Sequence, residues 1–276
     1  RFRTLGFPID DATFAELTAT AGAFPSDASR LVNLSVRSRA GAGDSTLAVG
    51  FAVGGAGTKQ LLLRGIGPTL GVFGVGGVIA DPRLRLFDGA AQELIENNDW
   101  SGVGVLGGAF SLSGAFALTA SSSDAAILPT LPAGSYSVHV TAAGAEGVAL
   151  VEAYDVDDLA GTTRLANVSA RTAVGTGDDV LIAGFVIKGT APKRLLIRAI
   201  GPALTQFGVG GALVDPQLQV FQGAQVVQSN DNWGGGGGLA AAFAQVGAFA
   251  LASDAKDSAL VVELAPGGYT AQVSGV

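Results

Sequence analysis

The chain repeats itself at a fixed offset, and this limits its fold more than any other feature. Arg30-Leu31-Val32-Asn33-Leu34-Ser35 returns as Arg164-Leu165-Ala166-Asn167-Val168-Ser169. Gly50-Phe51 returns as Gly184-Phe185, and Lys59-Gln60-Leu61-Leu62-Leu63-Arg64 as Lys193-Arg194-Leu195-Leu196-Ile197-Arg198. Ile66-Gly67-Pro68 and Asp81-Pro82 return as Ile200-Gly201-Pro202 and Asp215-Pro216, all 134 residues on. A one-residue deletion follows, and Trp100, Phe116 and Tyr136 then match Trp233, Phe249 and Tyr269 at an offset of 133. A repeat of this length is a duplicated domain. The division read from it is an N-terminal arm (1–29), repeat 1 (30–156), a polar linker (157–163) and repeat 2 (164–276).

Each repeat reads as β structure. Leu47, Val49, Phe51 and Val53 alternate with other residues, and Leu181, Ala183, Phe185 and Ile187 repeat the pattern, which marks strands with one buried face. Further strands are expected at 31–37, 59–66, 83–88, 125–131 and 135–141, each with a counterpart in repeat 2. Asp88-Gly89, Pro132-Ala133-Gly134 and Pro266-Gly267-Gly268 supply turns. Leu239–Gln245 reads as a short helical turn with Leu239 and Phe243 on one side. Many short strands joined by Gly and Pro turns imply an all-β fold, with two tandem Ig-like or jelly-roll-like β-sandwich domains.

Composition narrows the function classes. With 48% hydrophobic and 14% charged residues, the chain is neither disordered nor a coiled coil. The 42 glycines follow no collagen period and suit tight turns. A net charge of −7 lacks the basic footprint of a nucleic-acid binder. No apolar run approaches the roughly 20 residues of a membrane span. Cysteine is absent, which rules out disulfides and thiolate chemistry. The chain also lacks methionine and opens at Arg1, so it is expected to have lost a leader or to be part of a longer protein. Few side chains oxidise easily, as suits an extracellular or cell-surface protein.

The motifs Arg-Leu-x-Asn-x-Ser, Lys-x-Leu-Leu-x-Arg-x-Ile-Gly-Pro, Asp-Pro-x-Leu, Asn-Asp-x-Trp and Gly-Val-Ala-Leu-Val-Glu-x-Tyr-Asp together resemble a tandem repeat of large secreted bacterial proteins. The resemblance covers nearly everything after residue 29. It implies export and a modular β architecture, and no assigned chemistry. The second half of each repeat is also loosely similar to the bacterial pre-peptidase C-terminal β-sandwich, an accessory module.

Catalytic residues are not evident. The lone histidine, His139, lies in an alternating strand with Gln272 as its repeat partner, so it reads as a surface strand residue. Arg64 and Arg198 end apolar strands and call for carboxylate partners, with Asp81 and Asp215 as candidates. Asn97, Asp99, Asn230 and Asp231 offer oxygen ligands for Ca²⁺, although Asn and Asp also simply favour turns. Asp155, Asp157 and Asp158, near the linker, are a second candidate set that could clamp a Ca²⁺ between the repeats. Trp100 and Trp233 read as core anchors, with sugar stacking as the alternative.

One element is missing from the second repeat. Repeat 1 ends in a clear strand, Gly147–Val156, whereas Val276 aligns near Ala143, before that strand begins. Its loss removes about four buried apolar side chains, each worth about 1.5–3 kcal/mol. Repeat 2 is therefore expected to take a strand from elsewhere. The arm supplies candidates: Leu5, Phe7 and Ile9 alternate, and Phe14–Ala21 is a second segment, although Thr13-x-x-Glu16 resembles a helix cap. The functional expectation is a structural, non-enzymatic subunit of an extracellular filament or surface assembly. It polymerises with itself, head to tail, by donation of a strand, residues 2–9 of a neighbouring copy first among the candidates; donation within one chain, which gives a closed monomer, is the mixed alternative. The alternative is a spacer or polysaccharide-binding module of a larger secreted protein.

Overall fold

A computed structural model describes residues 14–20, 29–101, 104–142, 144–157, 161–174 and 180–276. Of the described residues 54% lie in strands and 13% in helices, in line with the all-β reading. It divides into two compact units. The repeat-1 unit is Val32–Leu165; the repeat-2 unit runs from Ala166 to Val276 and takes in a strand from the N-terminal end. Among the described residues no helix is long and apolar enough to cross a membrane.

In chain order the strands are β1 (Phe14–Thr20), β2 (Ser29–Ala40), β3 (Leu47–Ile66), β4 (Pro82–Asp88) and β5 (Glu93–Asn97). After helix α1 (Val105–Ser113) come β6 (Ala125–Ile127), β7 (Thr130–Ala142) and β8 (Gly147–Asp155). The second half continues with β9 (Arg164–Ala173), β10 (Leu181–Gly189), β11 (Lys193–Ile200), β12 (Pro216–Gln222) and β13 (Gln225–Asn230). Helix α2 (Gly237–Gln245), β14 (Ser258–Leu264) and β15 (Gly267–Gly275) end it. The expected helical turn at 239–245 is α2, with Phe243 buried; its repeat-1 counterpart, α1, was hidden in a Gly-rich stretch.

The strands of the repeat-1 unit pair antiparallel, with one isolated parallel bridge between Val78 and Val148. β3 binds β7 through its first two-thirds, then β6 and β8 through its last third. β7 continues to β4 and β5, and β8 to β2. The first part of β3 shows why the alternating pattern works: Leu47, Val49, Phe51 and Val53 are buried while the residues between them are half-buried. From Leu61 to Ile66 every residue is buried, so this stretch is covered on both faces. On one face Leu62 and Ile66 join Trp100, Phe110 of α1 and Tyr154 in a core cluster.

The repeat-2 unit repeats the scheme with β3 divided into β10 and β11. One set of strands runs β13–β12–β15–β10. The other runs β14–β11–β1–β9. Leu196, Ile200, Trp233 and Phe243 form the counterpart of the repeat-1 cluster.

Candidate functional site

Repeat 1 shows what a closing strand does. β8 enters between β2 and β3, with Tyr154 opposite both Asn33 and Leu62, and Glu152 opposite both Ser35 and Arg64. Ala149, Val151 and Ala153 are buried on one face. The other face carries the polar chemistry. Arg64, fully buried, donates to Glu152 from Nε (2.8 Å) and from Nη2, and its Nη1 donates to the Phe116 carbonyl at 2.6 Å. Its guanidinium lies over the rings of Phe116 (4.3 Å) and Phe110 (5.0 Å). Tyr154 Oη donates to the other oxygen of Glu152 at 2.8 Å. Burial first, and then the adjacent Glu152, raise the Tyr154 phenol far above its ordinary value. At the strand's end Lys59 Nζ donates to Asp155 at 2.9 Å, with both side chains buried. Burial raises the Asp155 carboxyl, and the Lys59 bond opposes that rise. The backbone N–H of Gln60 donates to Asp157 at 2.6 Å. Asp155 and Asp157 thus tie β8 to β3, while Asp158 lies outside the described residues. Arg64 finds its carboxylate in Glu152 and not in Asp81, because the closing strand passes directly beside it. In repeat 2 Asp215 is engaged instead by Lys256.

In repeat 2 the same position is held by β1. Thr20 stands opposite both Asn167 and Leu196, and Thr18 opposite both Ser169 and Arg198. Asn167, Leu196, Ser169 and Arg198 are the repeat partners of Asn33, Leu62, Ser35 and Arg64. So each residue of β1 lies at the position of the β8 residue numbered 134 higher: Thr20 at Tyr154, Thr18 at Glu152, Leu17 at Val151. The duplication therefore continues upstream of Arg30 without a gap. Sequence comparison missed this because only Ala15/Ala149 and Ala19/Ala153 are identical in the seven residues of β1. The constant offset was the signal that could have found it. Phe14–Ala21, the second donor segment, contains this strand, and the helix-cap reading of Thr13-x-x-Glu16 gives way to it. Leu5, Phe7 and Ile9 lie outside the described residues.

The wall of the slot in repeat 2 copies that in repeat 1. Arg198 is buried, lies 4.2 Å from the Phe249 ring centroid and 5.1 Å from that of Phe243, and donates Nη1 to the Phe249 carbonyl at 2.7 Å. Lys193 is also buried. A second repeated device holds the turn after Ile-Gly-Pro. Asp124 accepts from the N–H groups of Gly67 (2.8 Å) and Thr69, and from the hydroxyls of Thr69 and Ser122. Asp257 accepts from the N–H groups of Gly201 (2.8 Å) and Ala203 (3.2 Å). The sequence reading overlooked both aspartates, although they recur at the 133 offset.

The remaining candidates have structural partners. Asn97 donates to the Asp99 carbonyl and accepts from the N–H of Ala126; Asn230 donates to the Asn232 carbonyl and accepts from the N–H of Ala259. These bonds close the turn towards β6 and β14, while Asp99 and Asp231 lie exposed. Among the described residues no group of three or more His, Cys, Asp or Glu is gathered as for a metal. Trp100 and Trp233 are each 6% exposed, donate to the carbonyls of Thr119 and Ala252, and pack on Phe110 and Phe243. The expectation for His139 needs correction. It is buried, because the ring of Phe87 on β4 covers it at 4.6 Å, and its Nε2 lies 3.2 Å from Ser137 Oγ.

No family model matches the chain, and no curated protein matches it.

Proposed function

We propose that this chain is a structural, non-catalytic subunit of an extracellular filament or surface assembly, built of two β-sandwich repeats and joined copy to copy by exchange of β1. The observation that carries the reading is the constant register. β1 and β8 hold the same register of the repeat, yet β8 comes after the strands it joins in repeat 1, whereas β1 comes before those it joins in repeat 2. β1 pairs with β9 on one side and with β11 on the other. The same bonds form when β1 arrives from another copy. Passed from copy to copy, the contact is head-to-tail and extends without closing. The order of body and closing strand then runs unbroken along the assembly. The two strand sets of repeat 2 support a sandwich, and the resemblance to repeats of secreted bacterial proteins supports a place outside the cell. The polysaccharide reading is weakened by the burial of both tryptophans.

The test is assembly of the full chain, refolded from denaturant at a series of concentrations so that β1 is released and recaptured. Light scattering and negative-stain electron microscopy should show multimers growing with concentration into fibres. Leu17→Asp, at the position of buried Val151, should suppress them. A monodisperse monomer at every concentration would overturn the proposal.

A further inference from the structure

We infer that Lys59 and Asp155 condense to an amide, a covalent bond between side chains that ties the closing strand β8 to β3 in a chain without cysteine. The bond lies wholly within repeat 1 and forms whether or not copies exchange β1.

The pair is built by register. Leu61 of β3 stands opposite Asp155, and Lys59 lies two residues before Leu61, on the same face of the strand. Diagonal neighbours of this kind are about 7–8 Å apart, within reach of a long side chain. Lys59 Nζ donates to Asp155 Oδ1 at 2.9 Å, and the two side chains are 2% and 0% exposed. Buried Leu131 stands opposite Lys59, as buried Leu61 stands opposite Asp155. A charged pair in such a place carries a desolvation cost that a neutral amide does not. Burial, against the Lys59 bond, raises the Asp155 carboxyl. The neutral acid, the form that an amine can attack, is favoured accordingly.

Three further groups are placed for the reaction. Asp155 Oδ2 is buried and has no hydrogen-bond partner among the described residues. The backbone N–H of Asp157 donates to Asp155 Oδ1 at 3.2 Å. Asp157 Oδ2 lies 3.8 Å from Lys59 Nζ and accepts from the N–H of Gln60 at 2.6 Å. A proton passes from the Lys59 ammonium to Asp155, which leaves an amine and a carboxylic acid. The amine nitrogen bonds to Asp155 Cγ, and the Asp157 N–H stabilises the charge that develops on Oδ1. Asp157 takes a second proton from the nitrogen and delivers it to the hydroxyl at Oδ2. The Cγ–Oδ2 bond breaks and water leaves. The nitrogen keeps one proton, Asp157 ends as it began, and neither oxidant nor cofactor takes part. The amide joins residues 96 apart in the chain and restricts the unfolded state as a disulfide does.

The experiment uses the full chain, folded and held at neutral pH, then unfolded and weighed by intact mass spectrometry. The expected mass is that of the sequence less one water. A tryptic digest should contain a branched peptide in which Asp155 is joined to an uncut Lys59. Lys59→Arg keeps the charge but offers no amine, and it should show the full mass of its sequence. Asp157→Asn keeps an oxygen for the Gln60 N–H. Followed from the moment of synthesis, it should form the bond about a hundred-fold more slowly or less. A wild-type mass equal to that of the sequence after long incubation would overturn the inference. So would a lost water that persists in Lys59→Arg, or that maps to Asp88-Gly89, where an aspartate can close on its own backbone. Unchanged kinetics in Asp157→Asn would overturn the proton route.

Discussion

Glu152 stands opposite Arg64 across β8 and β3 and accepts from both its Nε and its Nη2, in a pair whose arginine has no exposed surface. Such a pair adds little over a well-packed apolar one, but removing one partner strands a buried charge. Glu152→Ala should therefore destabilise the protein by about 3–5 kcal/mol. The double change Arg64→Met with Glu152→Leu should recover most of that loss. Urea unfolding of the three proteins checks the expectation; equal losses in the single and double variants would show that the charge is not what matters.

Gly201 admits no side chain. A Cβ there would collide with the backbone carbonyl oxygen of Leu213, and at Gly67 with that of Ile79. Backbone oxygens cannot swing aside as a flexible side chain would. Gly201→Ala should cost about 1–3 kcal/mol, as overpacking does. Gly210→Ala, in open space with no neighbour near its Cβ, is the control and should leave the denaturation midpoint almost unmoved. A control as damaging as Gly201→Ala would refute the steric account.

Asp257 makes stability depend on pH in a stated direction. Burial raises its carboxyl above the ordinary 3.8, against the hydrogen bonds from Gly201 and Ala203. A carboxyl with a higher pKa folded than unfolded holds more protons in the folded state between the two values. Its contribution to stability is therefore greatest below 3.8 and falls as pH rises through the raised folded value. Asp257→Asn removes that titration while keeping an oxygen to accept from Gly201. The stability of the wild-type protein relative to this variant should fall as pH climbs from about 3.8. A difference that grows with pH would contradict it.

The alternating residues of β3 and β10 and the buried run at Leu61–Ile66 were legible because side-chain periodicity reports burial directly. The place that β1 fills was legible from the repeat itself, because Leu195–Arg198 repeats the stretch of β3 beside which Val148–Tyr154 lies. Its occupant was harder to read. Backbone pairing sets the register of β1 while most of its residues differ, and it shares just two alanines with β8. Burial of His139 was illegible for another reason: the residue that covers it, Phe87, comes from the neighbouring strand and not from its own. The Asp124 and Asp257 turns were overlooked because a lone aspartate in a polar loop carries no periodicity.

The central claim is that β1 fills the closing slot of repeat 2, and disulfide trapping tests it most directly. The chain has no cysteine, so an introduced pair reports without background. Thr18 and Ser169 are directly opposed on antiparallel strands, where Cα atoms lie about 4.5–5.5 Å apart. That distance is within the roughly 4.4–6.8 Å that a disulfide spans. Thr18→Cys with Ser169→Cys should oxidise almost completely, as a cross-linked monomer where β1 closes its own chain and as a covalent ladder where it closes the next. Thr18→Cys with Ser35→Cys is the control, because in repeat 1 the place beside Ser35 is taken by Glu152 of β8. Near-complete trapping with Ser169 and little with Ser35 is the expected result; equal trapping with both, or none with Ser169, would contradict the account.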